Sequence, residues 1–303
     1  MMNEVYQYVF AVLVWPGYLG AGALGFLYLW IARKLTARLQ GRKGPPFYQP
    51  FFDFVKLLGK DTVVPSGVNP SLFYALPFIS LLATGFGLVI VPVPGHIVGS
   101  FPGDIVLLLY LLEVPVICDV MAGYVTQSIY GQVSAMREAV MSLGYNLPML
   151  AAVIAMAQNA GSFRLGDLQS APFGLVTGLA AIAFLVAIPA RLKSNPFSIP
   201  NAEQEIVGGA HIEYNSAPLG IFELSHALEV VLLFGVFFVL FVPSLGNSVA
   251  NASLYLAVSL VLMVLATLTA AMTARLTVKR AFRFYWVWGG LAAAAAMVVA
   301  VIG

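Results

Sequence analysis

The chain has 303 residues; 60% are hydrophobic and 9% are charged, and the mean hydropathy is +0.92. A soluble domain carries about 25% charged residues, so an ordinary cytosolic enzyme, a nucleic-acid-binding domain and a disordered chain are excluded, leaving an all-α polytopic membrane protein. Lys and Arg number 15 against 13 Asp and Glu, a net charge of +2 that implies no polyanionic partner.

No Lys or Arg precedes Arg33, so the first apolar stretch reads as a retained helix and not as a cleaved signal peptide. A membrane helix needs about 20 mostly apolar residues. By that length eight spans are expected, at roughly 5–31, 72–94, 104–126, 138–160, 172–190, 226–245, 250–273 and 282–302. Two connections are long, about 32–71 and about 191–225, and nothing divides the chain, so residues 1–303 read as a single transmembrane domain. Fourteen of the fifteen basic residues fall in odd-numbered connections; Arg164 is the exception. The positive-inside rule then puts both long loops in the cytoplasm and both termini outside. Trp15, Trp30, Trp286 and Trp288 fall near span ends or on lipid faces, as an aromatic belt does.

In the first long loop, Arg42 and Lys43 precede Gly44-Pro45-Pro46, which breaks the incoming helix. Gln49 to Leu58 reads as a short amphipathic helix with Phe51, Phe52, Val55 and Leu58 on one face and Asp53, Lys56 and, just beyond, Lys60 elsewhere. Such a helix lies in the membrane interface with its aromatic side down. The run GRKGPPFYQPFFDFVKLLGKD resembles the first cytoplasmic loop of the membrane subunit that joins the two arms of respiratory complex I. The same subunit family occurs in membrane-bound nickel–iron hydrogenases. The compact Gly44–Gln49 spacing resembles the hydrogenase branch.

The second long loop places Glu203, Glu205 and Glu213 near the membrane surface with few cations close by in sequence. Crowded carboxylates in a low dielectric raise one another's pKa and can exchange protons near neutral pH; a solvated acidic loop is the plain alternative. Pro196 and Pro200 fix an extended path, and Gly208-Gly209 permits a tight turn. Complex I members carry a related pattern, which this chain matches at Pro196, Phe197, Pro200, Ala202, Glu203, Glu205, Gly208, Glu213 and Tyr214. By that resemblance the three glutamates start an acidic path into the membrane. Ser198 and Asn201 stand where the family has acids, and His226 stands near a position that is often Glu. The acidic set of the quinone-reducing members is thinned.

Glu113, Asp119 and Glu229 fall inside spans, where a charge costs roughly 2.5–3.5 kcal/mol on insertion scales. Glu113 and Asp119, six residues apart, point about 120° from each other. Pro115 between them frees the carbonyl of Leu111. Arg137-Glu138 opens the fourth span, where Arg137 can hold Glu138 or a loop acid. The Arg-Glu-Ala run resembles the hydrogenase branch, and Asn146 stands where the family commonly has an acid. His226 lies one turn before Glu229 and titrates near neutral pH. Cys118 reads as a small buried apolar residue. His96, His211 and His226 lack metal-site spacing, and a single cysteine makes no cluster.

The resemblance implies a non-catalytic coupling subunit of a complex I-like, ferredoxin-linked hydrogenase in a prokaryotic inner membrane. The chain would hold no cofactor itself. The nickel–iron site and iron–sulfur clusters would sit in partners: hydrogenase-like large and small subunits and an iron–sulfur subunit, beside antiporter-like membrane subunits. Proton-path candidates are Glu113, Asp119, Glu138, Glu203, Glu205, Glu213, His226 and Glu229. Arm-docking candidates are Arg42, Lys43, Gly44, Pro45, Gln49, Asp53, Lys56, Arg137 and Tyr214. The alternatives are the homologous subunit of a quinone reductase, a sulfur-reducing relative, and a stand-alone secondary transporter. The last would show internal symmetry, and none is visible.

Overall fold

The computed structural model describes residues 2–93 and 99–302, without the side chains of 2–5, 7, 8, 203 and 302. His96 lies outside the described residues. Those residues form helices and connections, with no strand among them.

The expected first span is two helices, α1 (Met2–Leu13) and α2 (Tyr18–Leu39). Pro16 between them has no N–H to continue the helical ladder. Helix α2 runs past the expected boundary through Arg33, Lys34 and Arg38, because ARKLTARL is rich in strong helix formers. The interfacial helix α3 (Gln49–Leu58) follows, then α4 (Pro70–Ile90), α5 (Asp104–Val125) and α6 (Ile129–Ala160). Helix α6 has 32 residues, about 48 Å, against a hydrocarbon core of about 30 Å. Its first turns therefore project beyond the expected start at 138.

After the short α7 (Leu165–Gln169) comes α8 (Leu175–Arg191), the expected fifth span. It has 17 residues, about 26 Å, and is the short member beside seven helices long and apolar enough to cross a membrane among the described residues. The second long loop contains one turn, α9 (Glu203–Ile206), before α10 (Ser216–Phe241). Helix α10 starts ten residues earlier than expected. Helices α11 (Ser248–Met272), α12 (Val278–Phe284) and α13 (Gly290–Ile302) complete the chain, with a wide π turn at Tyr285–Gly289 between the last two.

Helix α10 is the axis of the bundle. Every residue from Ala227 to Phe241 is buried, as expected of a helix apolar all round. Helices α2, α4, α8 and α11 pack around it. Small residues let backbones meet: a Cβ on Gly25 of α2 would fall 2.2 Å from the Ala227 carbonyl oxygen of α10, and one on Gly123 of α5 would fall 2.4 Å from that of Gly131 in α6.

The odd-numbered connections converge on one face. Asn215 accepts from the Val63 N–H at 2.9 Å and donates to its carbonyl at 2.7 Å. Ser134 at the start of α6 donates to the Pro200 carbonyl at 2.7 Å, and the Leu276 N–H bonds the Pro196 carbonyl at 2.9 Å. On the opposite face, Asp104 accepts from the Leu165 N–H at 2.8 Å and from Ser100 at 2.6 Å.

Gly25→Val should lower the stability of the purified protein by about 1–3 kcal/mol through overpacking against α10. Gly178→Ala in α8, where an added methyl meets nothing within 4 Å, should not. Thermal unfolding in mild detergent compares the two.

Candidate functional site

Three acids in the spans need counter-charges, and two basic residues at the end of α8 supply them. Arg191, the last residue of α8, is 1% exposed. Its Nε donates to Glu229 Oε1 at 2.8 Å, its Nη1 donates to Glu113 Oε1 at 2.6 Å, and its Nη2 bonds the Leu112 carbonyl. The engaged carbonyl is thus that of Leu112, next to the Leu111 carbonyl that Pro115 leaves free. Glu113 Oε2 accepts from Asn146 Nδ2 at 2.8 Å. The guanidinium also lies over the Tyr145 ring, 5.9 Å from its centroid.

Lys193 lies two residues on. The N–H of Lys193 bonds the Ala190 carbonyl and that of Ser194 bonds the Pro189 carbonyl, both at 2.9 Å. This is a Schellman ending, whose left-handed position is usually Gly. Here it is lysine at φ +50°, a conformation costing an L-residue roughly 1–2 kcal/mol. The backbone so turned sends the Lys193 ammonium onto Asp119, whose other oxygen lies 3.0 Å from His211 Nε2. Burial alone would depress the Lys193 ammonium; the Asp119 and Glu138 carboxylates outweigh it and hold the group above the ordinary lysine range.

Glu113 and Asp119, pointing apart on α5, therefore belong to two ion-paired groups. Between them and the loop face lies a polar cavity of about 250 Å³, lined by Asp119, Lys193, His211, Glu223, His226 and Glu229 among others. His226 Nδ1 lies 3.8 Å from Glu229 Oε2. Ser80 and Ser225 at its wall share a hydrogen bond of 2.7 Å.

Arg137 and Glu138 turn different ways on α6. Arg137 Nη1 donates to Glu205 Oε2 at 2.7 Å and also reaches the Ile199 carbonyl. Glu138 is buried and accepts from the Tyr145 hydroxyl at 3.4 Å. The loop acid, not Glu138, is the partner of Arg137, and Glu205 consequently has a cation that its sequence neighbourhood does not supply. Glu213 is half-buried and pairs with no cation among the described residues. Glu203 opens α9, and its side chain lies outside the described residues.

In the first loop, Asp53 accepts from Arg33 at 3.2 Å and from Gln49 at 2.7 Å, tying α3 to α2. The Pro45 carbonyl takes the Trp30 indole N–H at 3.1 Å. Arg42, Lys43 and Lys56 are exposed, and Gly44 is half-buried. Phe51, Phe52, Val55 and Leu58 form an exposed apolar face, while Phe54 turns inward against Phe26 with ring centroids 5.5 Å apart. Tyr214, expected on the docking surface, is instead buried: its ring stacks on Phe73 at 4.3 Å and meets the Phe222 ring edge-on. Its place in the apolar seam between α4 and α10 explains the difference, and burial pushes its hydroxyl above the ordinary tyrosine range. Cys118 is buried and free, as expected. No group of three or more His, Cys, Asp or Glu among the described residues could hold a metal ion.

Sequence reasoning missed Arg191, Lys193 and the cavity-lining Glu223, and read Asn146 only as a lost acid. The signal for the first two was available: three intramembrane acids had no cation in their own spans, and long basic side chains at a span end can reach inward.

A family model described as NADH dehydrogenase matches residues 13–301. A subunit of the NADH-quinone oxidoreductase of Rhodospirillum rubrum is 30% identical over 73% of this chain and 68% of its own length. Its counterpart from Methylococcus capsulatus is 31% identical over 68% of this chain and 72% of its own, and that from Dehalococcoides mccartyi is 29% identical over 68% and 61%. The matched stretches thus span about two thirds of those relatives. A chain in the structure of the membrane-bound sulfane sulfur reductase, an archaeal respiratory membrane complex, superposes with a TM-score of 0.89 at 27% identity, covering 97% of this chain and 99% of that one.

Arg191→Met should cost about 3–5 kcal/mol, because it leaves buried carboxylates without their cation. The triple variant Arg191→Met, Glu113→Gln, Glu229→Gln should recover most of that loss. Detergent-solubilised thermal stability reads both; equal loss in the two variants would show that packing, not charge, sets the cost.

Proposed function

The chain belongs to the NADH dehydrogenase family of membrane subunits, and from that premise we propose that it is the coupling subunit of a complex I-like respiratory complex. The observation that carries this reading is the pair of buried, cation-bridged acid groups under the loop face. In this reading a soluble arm holding the redox centres docks on the cytoplasmic face built from the first, third, fifth and seventh connections. Reduction of the acceptor near that face changes the charge above the cavity. His211, against Asp119, and His226, beside Glu229, lie where that change is felt. Lys193 holds the Asp119 carboxylate, and Arg191 shares its guanidinium between Glu113 and Glu229, so a proton arriving at either acid weakens one contact and frees the other. That redistribution biases ion movement in antiporter-like membrane neighbours. Glu138, Glu203, Glu205 and Glu213 lie on the approach to these groups.

For the acceptor, the relatives favour a quinone or a sulfane sulfur compound, since subunits of both kinds of complex are similar to this chain and the likeness to the sulfur reductase runs end to end. A second reading, the membrane-bound nickel–iron hydrogenase, is favoured by the compact Gly44–Gln49 segment and by Arg137-Glu138-Ala139. It brings hydrogenase-like large and small subunits and an iron–sulfur subunit, with the nickel and the clusters held by those partners.

Glu229→Gln and Glu113→Gln should each cut ion translocation per electron by about tenfold, the scale of a site-to-site coupling energy of 1–3 kcal/mol, while the arm stays bound. Proteoliposomes of the purified complex measure this, and unchanged pumping would overturn the reading. Ion transport by the chain reconstituted alone would overturn it in favour of a transporter. Metal analysis of the complex separates the acceptor classes: nickel with hydrogenase-type subunits establishes the second reading, and its absence beside inhibition by a quinone analogue or turnover with sulfane sulfur establishes the first.

A further inference from the structure

After Glu229 the chain contains no Asp or Glu, and its charges are Arg275, Lys279, Arg280 and Arg283, gathered at the α11–α12 connection. Two adjoining cavities meet there. One is an apolar groove of about 520 Å³ between α8, α11 and α12, lined by residues that include Leu185, Pro189, Leu262, Leu265 and Phe284. The other is a polar cavity of about 360 Å³ on the loop face, with Arg137, Glu205, Arg275 and Thr277 in its wall. Leu276 lines both, so the apolar and the polar part of this cleft adjoin at that residue. Its backbone N–H is fixed to the Pro196 carbonyl at 2.9 Å.

The charge in the polar part is unbalanced. Glu205 is already held by Arg137 at 2.7 Å. Arg275 donates to the Ser198 hydroxyl at 3.2 Å and pairs with no carboxylate among the described residues. Lys279 and Arg280 are exposed beside it, also without a paired carboxylate among those residues. Below, Trp286 and Trp288 are 52% and 65% exposed on the outer surface, where an aromatic belt meets lipid headgroups. A helix with side chains is about 10–12 Å across with a 5.4 Å pitch, so the groove would hold about one helical turn; a single flexible hydrocarbon chain fits it along its length.

We propose that this cleft binds one anionic membrane phospholipid, its phosphodiester headgroup against Arg275, Lys279 and Arg280 and one of its chains in the groove. The site is separate from the Arg191 and Lys193 groups and requires only that the chain spans a membrane. It wedges a lipid between α8, which carries those groups, and the α11–α12 connection.

The test uses the protein purified with its native partners, delipidated in mild detergent, and native mass spectrometry with added phosphatidylglycerol or phosphatidylcholine. Cations near a membrane surface attract anionic lipids, so a preference for phosphatidylglycerol of about tenfold or more is expected. In Arg275→Gln, Lys279→Gln, Arg280→Gln that preference should fall to near unity, with Arg283 kept to preserve topology. Leu265→Trp, which fills the groove from an exposed position, should weaken both lipids alike. Equal affinity for the two lipids in the unsubstituted protein would overturn the proposal. So would a photo-reactive residue at position 265 that cross-links to a neighbouring polypeptide instead of a lipid.

Discussion

A guanidinium without exposure to water fixes the centre of this membrane protein. Arg191 could not be placed at the end of α8 unless carboxylates came to it, because an unpaired charge there would cost several kcal/mol. Glu229 on the axial helix and Glu113 on α5 supply them, and the Leu112 carbonyl completes the guanidinium's contacts. Three helices are thereby held in register by one side chain. The small-residue contacts of α2 with α10 and of α5 with α6 then set how closely the bundle closes around it.

The shortness of α8 belongs to the same constraint. After this 17-residue helix the chain turns, and Arg191 and Lys193 reach acids that lie inside other spans. The turn accepts a left-handed lysine where glycine would be unstrained, and the residue's ammonium is what the strain secures. Backbone strain held by a functional contact is a common mark of a working site.

Much of this is legible in the sequence. Composition points to the membrane class, and the alternation of basic residues between connections points to the span order, since charged loops leave an unambiguous trace. The first loop reads nearly to the residue, because Gly44-Pro45-Pro46 and the amphipathic spacing of α3 are local signals. Helix ends do not: α6 begins nine residues and α10 ten residues before the apolar stretches that mark their spans. The pairing of the acids is also hidden. Arg191 and Lys193 read as ordinary cytoplasmic loop charges, and only the fold shows them buried. Tyr214 misleads in the opposite sense, since a loop aromatic near acids looks exposed until Phe73 is found stacked beneath it. The motifs resembling the hydrogenase branch are short stretches, one in the first loop and one in α6, whereas the comparisons across the chain reach quinone- and sulfur-linked relatives.

The different facing of Arg137 and Glu138, neighbours about 100° apart on α6, bears on how charge is shared in the site. Glu138 joins Glu113, Asp119 and Glu229 in one buried neighbourhood whose charges act on one another, and two permanent cations, Arg191 and Lys193, serve all four acids. With Arg137 turned outward to Glu205, no third permanent cation among the described residues reaches them. Two cations therefore face four carboxyl groups, and a change of charge at any one of them is felt by the rest of the group.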